Sequence, residues 1–323
     1  MVHADTAEPS ITRRKCGRGW MYVRADGKRI TDRQEIDRLN AIGLPPAYVN
    51  TWFASDPRSH VLATGIDAKG RKQYIYHADH VAQSSACKFR ACASFGDRLP
   101  RIRAVVEKEL ARRVLSRERA VASIIRLLDS GRIRVGSEAY ARANKSFGAT
   151  TLRQRHARLK GDRLALRFRA KSGKDCSLSV SDRGLIRFVK QVQDLPGQHL
   201  FQYKGEDGEY RPVSSGDVNA YIHQTMGEAF TAKDFRTWAA SVLALEWLAK
   251  AEGRVKLREM LAHVAEHLGN TPAVARNSYI HPALIDVAQN RDVTDFPGRL
   301  PRRTKWLSGT ERFLIDFLAA WEG

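Results

Sequence analysis

The segment LGNTPAVARNSY, residues 268–279, ends on a tyrosine in a basic and polar setting. A phenol oxygen can act as a nucleophile, but its ordinary pKa of about 10 keeps it protonated at neutral pH, so cationic or hydrogen-bonding neighbours must assist it. Attack on a phosphodiester also places negative charge on the phosphoryl oxygens, which arginine side chains are well shaped to bind. Tyr279 with suitably placed arginines would therefore suit phosphoryl transfer.

Two arginines are candidates for this task. Arg134 lies in GRIRVGSEAY, at the boundary of a predicted helix, and Arg236 lies in FTAKDFRTWAAS, where Thr231 and Asp234 form an N-terminal capping pattern. In a chain with so many basic residues, the ordinary interpretation of either arginine is a solvent-exposed side chain. Spacing alone does not separate the two interpretations.

The charge of the chain indicates a polyanionic partner. There are 55 Lys and Arg against 35 Asp and Glu among 323 residues, a formal net charge of +20, and the pI is near 10.2. Residues 101–171 contain 20 Lys and Arg and 6 Asp and Glu, so +14 of the +20 falls in 71 residues. Solvated helix faces are the alternative for such a block, but its size favours contact with phosphates. We therefore expect nucleic acid as the partner.

The remaining composition predicts a soluble, intracellular protein with a substantial core. The 323 residues are enough for two domains, and the 43% of them that are hydrophobic can bury a substantial core. No signal-peptide run opens the sequence, and no later stretch is apolar enough to span a membrane. The cysteines form no CxxC pair and no zinc-ribbon spacing, so we expect reduced thiols at Cys16, Cys87, Cys92 and Cys176.

Hydrophobic patterning divides the chain near residue 95. The first part has aromatic and β-branched runs broken by turn signals, at 19–23, 43–55 and 60–77. Within the last run, DAKG at 67–70 predicts a hairpin turn. We expect a small β-rich module over residues 1–95.

Helical periodicity takes over from Leu99. Residues 163–182 interrupt it, because apolar and polar residues alternate there about a polar SGKD, the pattern of a β-hairpin. Helices resume at Arg183, and further helices are predicted over 216–229, 233–251 and 254–268. The predicted fold class is α+β, with a mainly α-helical domain over 96–323 that carries an inserted β-hairpin.

Eight motifs, taken in order, resemble those of the poxvirus-like type IB DNA topoisomerases found in bacteria. They are GIDAKGRKQYIYH, LPRIR, GRIRVGSEAYARANKSFGATTLR, SGKD, LFQY, RPVSSGDVNAYI, FTAKDFRTWAAS and LGNTPAVARNSY. The resemblance extends from about residue 18 to about residue 300. One such motif would be weak support, whereas eight in the same order make a chance match untenable.

The resemblance implies a role for each candidate residue. Tyr279 is similar to the nucleophile that forms a 3′-phosphotyrosyl link and frees a 5′-hydroxyl, and Arg134 and Arg236 match the arginines that contact the non-bridging oxygens. Lys174, at the tip of the SGKD hairpin, matches the lysine that protonates the departing 5′ oxygen. Lys233 matches a further DNA-contacting lysine.

One position departs from the viral pattern. The viral relatives carry histidine nine residues before the tyrosine, whereas this chain has Asn270. Asparagine can donate a hydrogen bond to a phosphoryl oxygen but cannot carry a charge or move a proton. We therefore expect Asn270 to contribute only as a donor, without a histidine-driven pH dependence.

In the N-terminal module, the resemblance implies contact with the major groove of DNA. Gln73 could pair with an adenine edge, and Tyr74 and Tyr76 could touch bases or phosphates. For Tyr76 an ordinary place in the core of the module is an equal alternative. Lys69 and Arg71 are expected to hold phosphate. Together the two domains would form a clamp around duplex DNA.

Two other site patterns are weaker. His263 to His267 spells HxxEH, an inverted zinc-protease motif, but zinc would need a third ligand and so short a pattern arises easily in a helix. The GxxxxG over 131–136 is followed by Ser-Glu where an ATP-binding loop needs Lys-Ser or Lys-Thr. We expect no metal and no cofactor, because a phosphotyrosyl bond conserves the energy needed for resealing.

Two other functions remain open at this point. A tyrosine recombinase or integrase uses a similar set of residues and the same intermediate, but usually has HxxR where this chain has KDFR at 233–236. A non-catalytic DNA clamp would explain the charge but not the tyrosine, arginines and lysine together. The resemblance implies a bacterial protein that acts as a monomer on double-stranded DNA, in the cytoplasm at the nucleoid, without ATP or metal.

Overall fold

The structure, a computed structural model, describes residues 1–227, 229–251, 255–290 and 300–321. Two compact units divide the chain between Cys87 and Lys88. None of the helices in the described ranges has both the length and the apolarity needed to cross a membrane. The four cysteines are free, in agreement with the prediction.

The smaller unit is built of short antiparallel strands around one helix. Its elements are β1 (Thr12–Cys16), β2 (Gly19–Val23), α1 (Arg33–Ala41), β3 (Val49–Phe53), β4 (Val61–Ile66) and β5 (Lys72–Tyr76). β1 pairs with β2, and β3, β4 and β5 form a three-stranded sheet in that order. Its small core includes Tyr22, Leu39 and Phe53. The predicted strands at 19–23, 43–55 and 60–77 are confirmed, while β1 and α1 carry no strong pattern and were missed.

The hairpin turn at 67–70 is also confirmed. The Asp67 carboxylate accepts hydrogen bonds from the backbone N–H groups of Lys69 and Arg71 at 2.9 and 3.0 Å. Gly70 has φ +72°, a left-handed conformation that glycine adopts without steric cost. This turn connects β4 to β5 and fixes their register, with Thr64 opposite Tyr74.

A long helix, α2 (Ala78–Ala111), begins 21 residues before the predicted start of helical structure at Leu99. That prediction was wrong because the first buried residue of α2 is Phe89, so its first three turns show no apolar periodicity. The predicted boundary between residues 95 and 96 falls inside α2, eight residues after the division into units. As a boundary between functional domains it stays a prediction.

The larger unit is mainly helical, with two small sheets. After α2 its helices are α3 (Arg117–Gly131), α4 (Glu138–Asn144), α5 (Arg183–Val192), α6 (Ser215–Met226), α7 (Ala232–Leu248), α8 (Leu257–Leu268), α9 (Pro272–Ser278), α10 (Pro282–Asn290) and α11 (Gly309–Ala319). Its strands are β6 (Ala157–Lys160), β7 (Arg163–Arg169), β8 (Asp175–Val180), β9 (Gln202–Lys204) and β10 (Tyr210–Pro212). β6, β7 and β8 form an antiparallel sheet, and β9 pairs with β10. The α+β class is thereby confirmed.

Most predicted elements of the larger unit are present. The helices expected from Arg183 and over 216–229, 233–251 and 254–268 correspond to α5, α6, α7 and α8, and the hairpin over 163–182 corresponds to β7 and β8. The third strand β6 and the β9–β10 hairpin were not predicted, because each has only three or four residues. Short strands carry too few alternations for a pattern to be read.

Helix α7 occupies the middle of this unit and contacts α3, α6, α8, α10 and α11. It is buried on nearly every side, which accounts for its continuous apolar sequence. The C-terminal α11 is held by a buried ion pair, in which Arg103 donates to Glu311 at 2.7 Å and to Asp129 at 2.8 Å. Trp238 of α7 also donates to Glu311, at 3.1 Å. Helix α11 is thereby docked on the helical core of the larger unit; residues 291–299 and 322–323 lie outside the described chain.

Candidate active site

The candidate nucleophile lies at a break between two helices. Pro272 is the first residue of α9, and the side chain of Thr271 caps this end by accepting from the N–H of Val274. Tyr279 follows the last helical residue with φ −134° and ψ −43°, while its N–H still donates to the carbonyl of Ala275 at 3.1 Å. The Tyr279 side chain therefore does not follow the helical arrangement of α9, and the residue is only 8% exposed.

Arg236 reaches the tyrosine from the first turns of α7. Thr231 and Asp234 form the predicted capping box, which fixes where α7 begins. The Arg236 side chain is buried, and donates to the carbonyls of Arg132 and Leu268, the latter at 2.9 Å. Its Nε is buried without a hydrogen-bond partner in the described chain. Arg236 is thus not the surface arginine that composition alone favours.

Arg134 lies in the extended segment after α3. Its carbonyl accepts from the N–H of Ala149 at 2.9 Å, and the next carbonyl, of Val135, accepts from Thr150 at 2.7 Å. Gly148 permits this close pairing, because a Cβ there would lie 2.6 Å from the Arg134 carbonyl oxygen. The backbone that carries Arg134 is therefore held on its far side by a second segment.

The two arginines change the ionisation of the tyrosine. Burial by itself would raise the pKa of the Tyr279 phenol, but the charges of Arg236 and Arg134 and their hydrogen bonds outweigh burial, so the net pKa is lowered. The Arg236 guanidinium carbon lies 5.0 Å from the centroid of the Tyr279 ring. Burial, followed by the charge of Arg134, lowers the pKa of Arg236 to about 10. Arg236 and Tyr279 thus form a buried cation–phenol pair.

Asn270 connects the remaining groups. Its Oδ1 accepts from Arg134 Nη2 at 2.6 Å, and its backbone carbonyl accepts from Lys174 Nζ at 2.9 Å. Because arginine can only donate, this bond assigns the amide orientation and leaves Nδ2 as the free end. Nδ2 is buried and has no partner within the described chain. The expected donor is therefore available, but Asn270 also accepts from Arg134, which the expectation of a donor alone did not include.

Lys174 lies at the tip of the β7–β8 hairpin, as predicted. The tip is a tight turn in which Ser172 and Gly173 have φ of +65° and +76°, and the N–H of Ala170 donates to the Lys174 carbonyl at 2.7 Å. The Lys174 side chain is exposed and extends to Asn270. The structure thus brings Tyr279, Arg236, Arg134, Asn270 and Lys174 into one connected site within the larger unit.

Two further lysines lie near this site. Lys233, at the start of α7, is exposed. Lys88, which the sequence did not single out, donates from Nζ to the carbonyl of Ser278 at 2.8 Å and lies over the ring of Phe89. No pattern could have found Lys88, because its partner is a backbone atom 190 positions along the chain.

The groove-reading candidates of the smaller unit differ in availability. Tyr74 and Tyr76 are 43% and 44% exposed and stack on each other at 6.0 Å, on the face of β5 opposite to Ile75. The alternative of a core position for Tyr76 is therefore wrong. These two side chains are open to solvent and free to contact a ligand.

Asp67 engages two of the other candidates. Arg71 Nε donates to Asp67 at 2.8 Å and Gln73 Nε2 donates to it at 2.9 Å, while Lys69 is exposed. The bond from Arg71 holds the pKa of the Asp67 carboxyl well below its usual range. Contact of Arg71 with phosphate, or of Gln73 with a base, would have to compete with Asp67 and stays a prediction.

The HxxEH pattern does not form a metal site in the described residues. His263 and His267 lie with ring centroids 4.3 Å apart, and His263 also packs on Trp247. His267 Nδ1 is within hydrogen-bond distance of the His263 carbonyl, at 2.9 Å. No group of three or more potential metal ligands occurs in the part of the chain that is described.

A buried tyrosine next to two arginines, with a lysine and an amide donor beside them, has the residue types that suit the class of enzyme that transfers a phosphoryl group to its own side chain. Family models agree with this class. Residues 70–291 match the catalytic core of eukaryotic DNA topoisomerase I, and residues 19–67 match the N-terminal domain of bacterial DNA topoisomerase IB.

Individual relatives of this chain are also named as DNA topoisomerases. DNA topoisomerase 1B of Acanthamoeba polyphaga mimivirus is 31% identical over 294 residues, covering 87% of this chain and 88% of the viral protein. DNA topoisomerase 1B of Vaccinia virus (strain Copenhagen) is 22% identical over 251 residues, covering 77% and 78%. DNA topoisomerase 1 of Mycosarcoma maydis is 24% identical over 238 residues, which is 66% of this chain and 23% of the fungal protein. The chain belongs to the type IB DNA topoisomerase family.

Proposed function

We propose that this protein relaxes supercoiled DNA through a covalent bond between Tyr279 and the 3′ phosphate of one strand. The observation that carries the proposal is the position of the Tyr279 ring against the buried Arg236, in a site that Arg134 shares. The family membership supports a topoisomerase and does not support the recombinase alternative.

The proposed reaction has two balanced steps. The Tyr279 Oη forms a bond to phosphorus as the phenol releases its proton to solvent water, and the bond from phosphorus to the 5′ oxygen breaks. Lys174 gives a proton to that 5′ oxygen, which leaves as a hydroxyl. In the reverse step the 5′-hydroxyl attacks phosphorus and gives its proton back to Lys174, while the bond from phosphorus to Tyr279 Oη breaks and the phenol takes up a proton from solvent water. Between the steps the broken strand rotates and superhelical turns are lost.

Each donor has a place in this scheme. The free Nε of Arg236 and Nδ2 of Asn270 are buried and available for the non-bridging oxygens. The bond from Arg134 to Asn270 holds the guanidinium in place, so that its other N–H groups can meet the same phosphate. The negative charge that develops in the transition state would thereby be shared among three side chains.

We further propose how the protein holds DNA, its oligomeric state and its independence of ATP and metal. The two units act together as a clamp around duplex DNA, as a monomer, with Lys69, Arg71, Gln73, Tyr74 and Tyr76 on the DNA and Lys233 beside the cleavage site. Because the phosphotyrosyl bond keeps the energy of the broken phosphodiester, resealing needs neither ATP nor metal. A chromosomal DNA substrate suggests that it works in the cytoplasm at the nucleoid.

Relaxation of a supercoiled plasmid tests the function. The purified protein, with EDTA and without ATP, should convert the plasmid to relaxed topoisomers, and single topoisomers should appear in the gel at early times. Tight plasmid binding without any change in linking number would contradict the proposal. That result would instead favour a passive clamp.

A basic surface whose cations make no ion pairs in the described chain supports DNA binding by the larger unit. One face of the β6–β7–β8 sheet has side chains that point away from the core, and its cations include Arg158, Lys160, Arg163 and Arg167. None of these four makes an ion pair in the described chain, whereas Arg103, Arg117, Arg126 and Arg142 of the helices each do. A cavity of about 200 Å³ opens on this face, lined by Arg155, His156, Arg158, Lys160, Ala165 and Arg167. We call the sheet face that carries these four cations the basic sheet face.

Replacing three cations of the basic sheet face should weaken the salt dependence of binding. Each cation that contacts a phosphate contributes about 0.9 to the slope of log K against log salt, so Arg158, Arg163 and Arg167 changed together to Gln should lower the slope by about 2 to 3. Fluorescence anisotropy of a labelled duplex across a salt series measures the slope.

The matched control uses three cations that are already paired. Lys28, Arg33 and Arg58 of the smaller unit lie 3.2 to 3.6 Å from Asp26, Asp37 and Asp56. Their triple change to Gln should alter the slope by less than about 1, because neutralised cations release few counterions. An equal slope in the parent and the sheet-face variant would remove this surface from the DNA-binding account.

A further inference from the structure

The C-terminal end of helix α9, just before the nucleophile, needs hydrogen-bond donors from outside the helix. α9 stops at Ser278, and the N–H groups of both Tyr279 and Ile280 donate to one carbonyl, that of Ala275, at 3.1 and 3.0 Å. The carbonyls of a last helical turn have no partner within the helix. Lys88 supplies one, because its Nζ donates to the Ser278 carbonyl at 2.8 Å. A cation at this end of a helix also suits the helix dipole.

Lys88 is held in place by its surroundings. Its ammonium nitrogen lies 3.8 Å from the centroid of the Phe89 ring, and the residue is half-buried. Burial, and then the charge of Lys233, lower the pKa of Lys88 to about 8, against the opposing influence of Asp234 and Cys92. A desolvated ammonium with few alternatives holds a carbonyl more firmly than a solvated surface lysine does.

A second bond fixes the other side of the nucleophile. His281 Nδ1 accepts from the N–H of Ala283 at 3.2 Å, which assigns the neutral ring a hydrogen on Nε2, and Nε2 donates to the carbonyl of Phe89 at 3.2 Å. The His281 N–H also donates to Ser241 Oγ at 3.1 Å. Two adjacent residues of α2, Lys88 and Phe89, thus bind the chain immediately before Tyr279 and two residues after it.

We propose that Lys88 is a positioning residue for the nucleophile: its bond to the Ser278 carbonyl fixes the helix break from which the Tyr279 side chain is directed at the phosphate. This inference rests on the proposed function of Tyr279. It gives Lys88 no contact with DNA and no proton transfer in the reaction. Its effect is on the backbone, and through the backbone on the attack geometry.

The proposal predicts a loss of rate without a loss of affinity. A misplacement of about 1 Å in a reacting group can cost about 100-fold in rate. Lys88→Met should therefore lower the rate of single-turnover cleavage at saturating DNA by about 10- to 100-fold and leave the dissociation constant for DNA within about twofold. Lys88→Arg keeps a charged donor and should recover the rate to within about threefold of the parent.

A change of leaving group separates positioning from acid catalysis. In a short duplex with sulfur in place of the bridging 5′ oxygen, the leaving thiolate needs no proton. The Lys88→Met defect should remain on this substrate, because nucleophile geometry matters for either leaving group. Removal of the defect by sulfur would make Lys88 a proton donor and overturn the proposal.

A control variant and three further results also test the positioning role of Lys88. Lys305→Met is the matched control, since Lys305 likewise lies over a neighbouring ring, that of Trp306, but at an exposed position; its rate should equal that of the parent. Lys88→Met with the parent's rate, a defect seen mainly in DNA affinity, or Lys88→Arg as slow as Lys88→Met would each overturn the positioning role. If the parent itself forms no covalent complex, the proposed function fails first, so the two failures are distinguishable.

Discussion

Tyr279→Phe is expected to abolish both plasmid relaxation and the covalent capture of DNA, with a loss on the order of 10⁵-fold or more, as follows removal of a nucleophile. Phenylalanine keeps the ring that lies 5.0 Å from the Arg236 guanidinium carbon, so the buried pair and its packing are largely preserved. Only the attacking oxygen, whose pKa the two arginines lower, is removed. Covalent complex formation on a short labelled duplex, followed on a denaturing gel, measures the loss.

Tyr203→Phe is the control for this variant. Tyr203 is half-buried in β9, outside the residues assigned to the site, so its loss of a hydroxyl should leave cleavage within about twofold of the parent. DNA affinity should be unchanged in both variants. Residual covalent complex in Tyr279→Phe at more than about a thousandth of the parent rate would show that another residue attacks the phosphate.

Lys174→Ala is expected to slow cleavage about 10²- to 10⁴-fold on an ordinary duplex, the usual contribution of general acid catalysis. The same variant should lose less than about tenfold on a duplex whose leaving group is a 5′ thiolate, because that group departs without a proton. The structural reason is the location of Lys174 at an exposed hairpin tip with its Nζ on Asn270, within the same site as Tyr279. Single-turnover rates on the two substrates give the comparison.

Lys171→Ala controls for loss of positive charge at the hairpin tip. Lys171 lies three residues away and is exposed like Lys174. Its variant should cleave both substrates at nearly the parent rate. Equal defects of Lys174→Ala on oxygen and sulfur leaving groups would remove Lys174 from the acid role and indicate that it acts through charge or geometry.

Local chemistry made several parts of the site predictable from sequence. The capping residues Thr231 and Asp234 indicated where α7 begins, and hence that Arg236 lies in its first turns. Alternation on both sides of SGKD located the hairpin tip and Lys174. In each case the determining contacts lie within a few residues of the position concerned, which is the range over which a sequence pattern carries information.

Contacts between residues far apart in the chain could not be predicted from sequence patterns. The bond from Arg134 to Asn270 joins residues 136 positions apart, so the acceptor role of Asn270 had no local signal. The start of α2 at Ala78 was missed because its first turns are exposed, and a helix without a buried face has no apolar period. The engagement of Arg71 and Gln73 by Asp67 shows the same limit on a smaller scale, since composition gave their charge and polarity but not their partners.

The central claim is that Tyr279 becomes joined to the 3′ phosphate of a cleaved strand, and identification of the covalent adduct tests it most directly. The parent protein, trapped on a duplex whose cleaved fragment diffuses away, should yield after protease digestion one nucleotide-bearing peptide, with the nucleotide on Tyr279, and the released strand should carry a 5′-hydroxyl. A nucleotide on any other residue, or a bond to the 5′ end of the broken strand, would contradict the account.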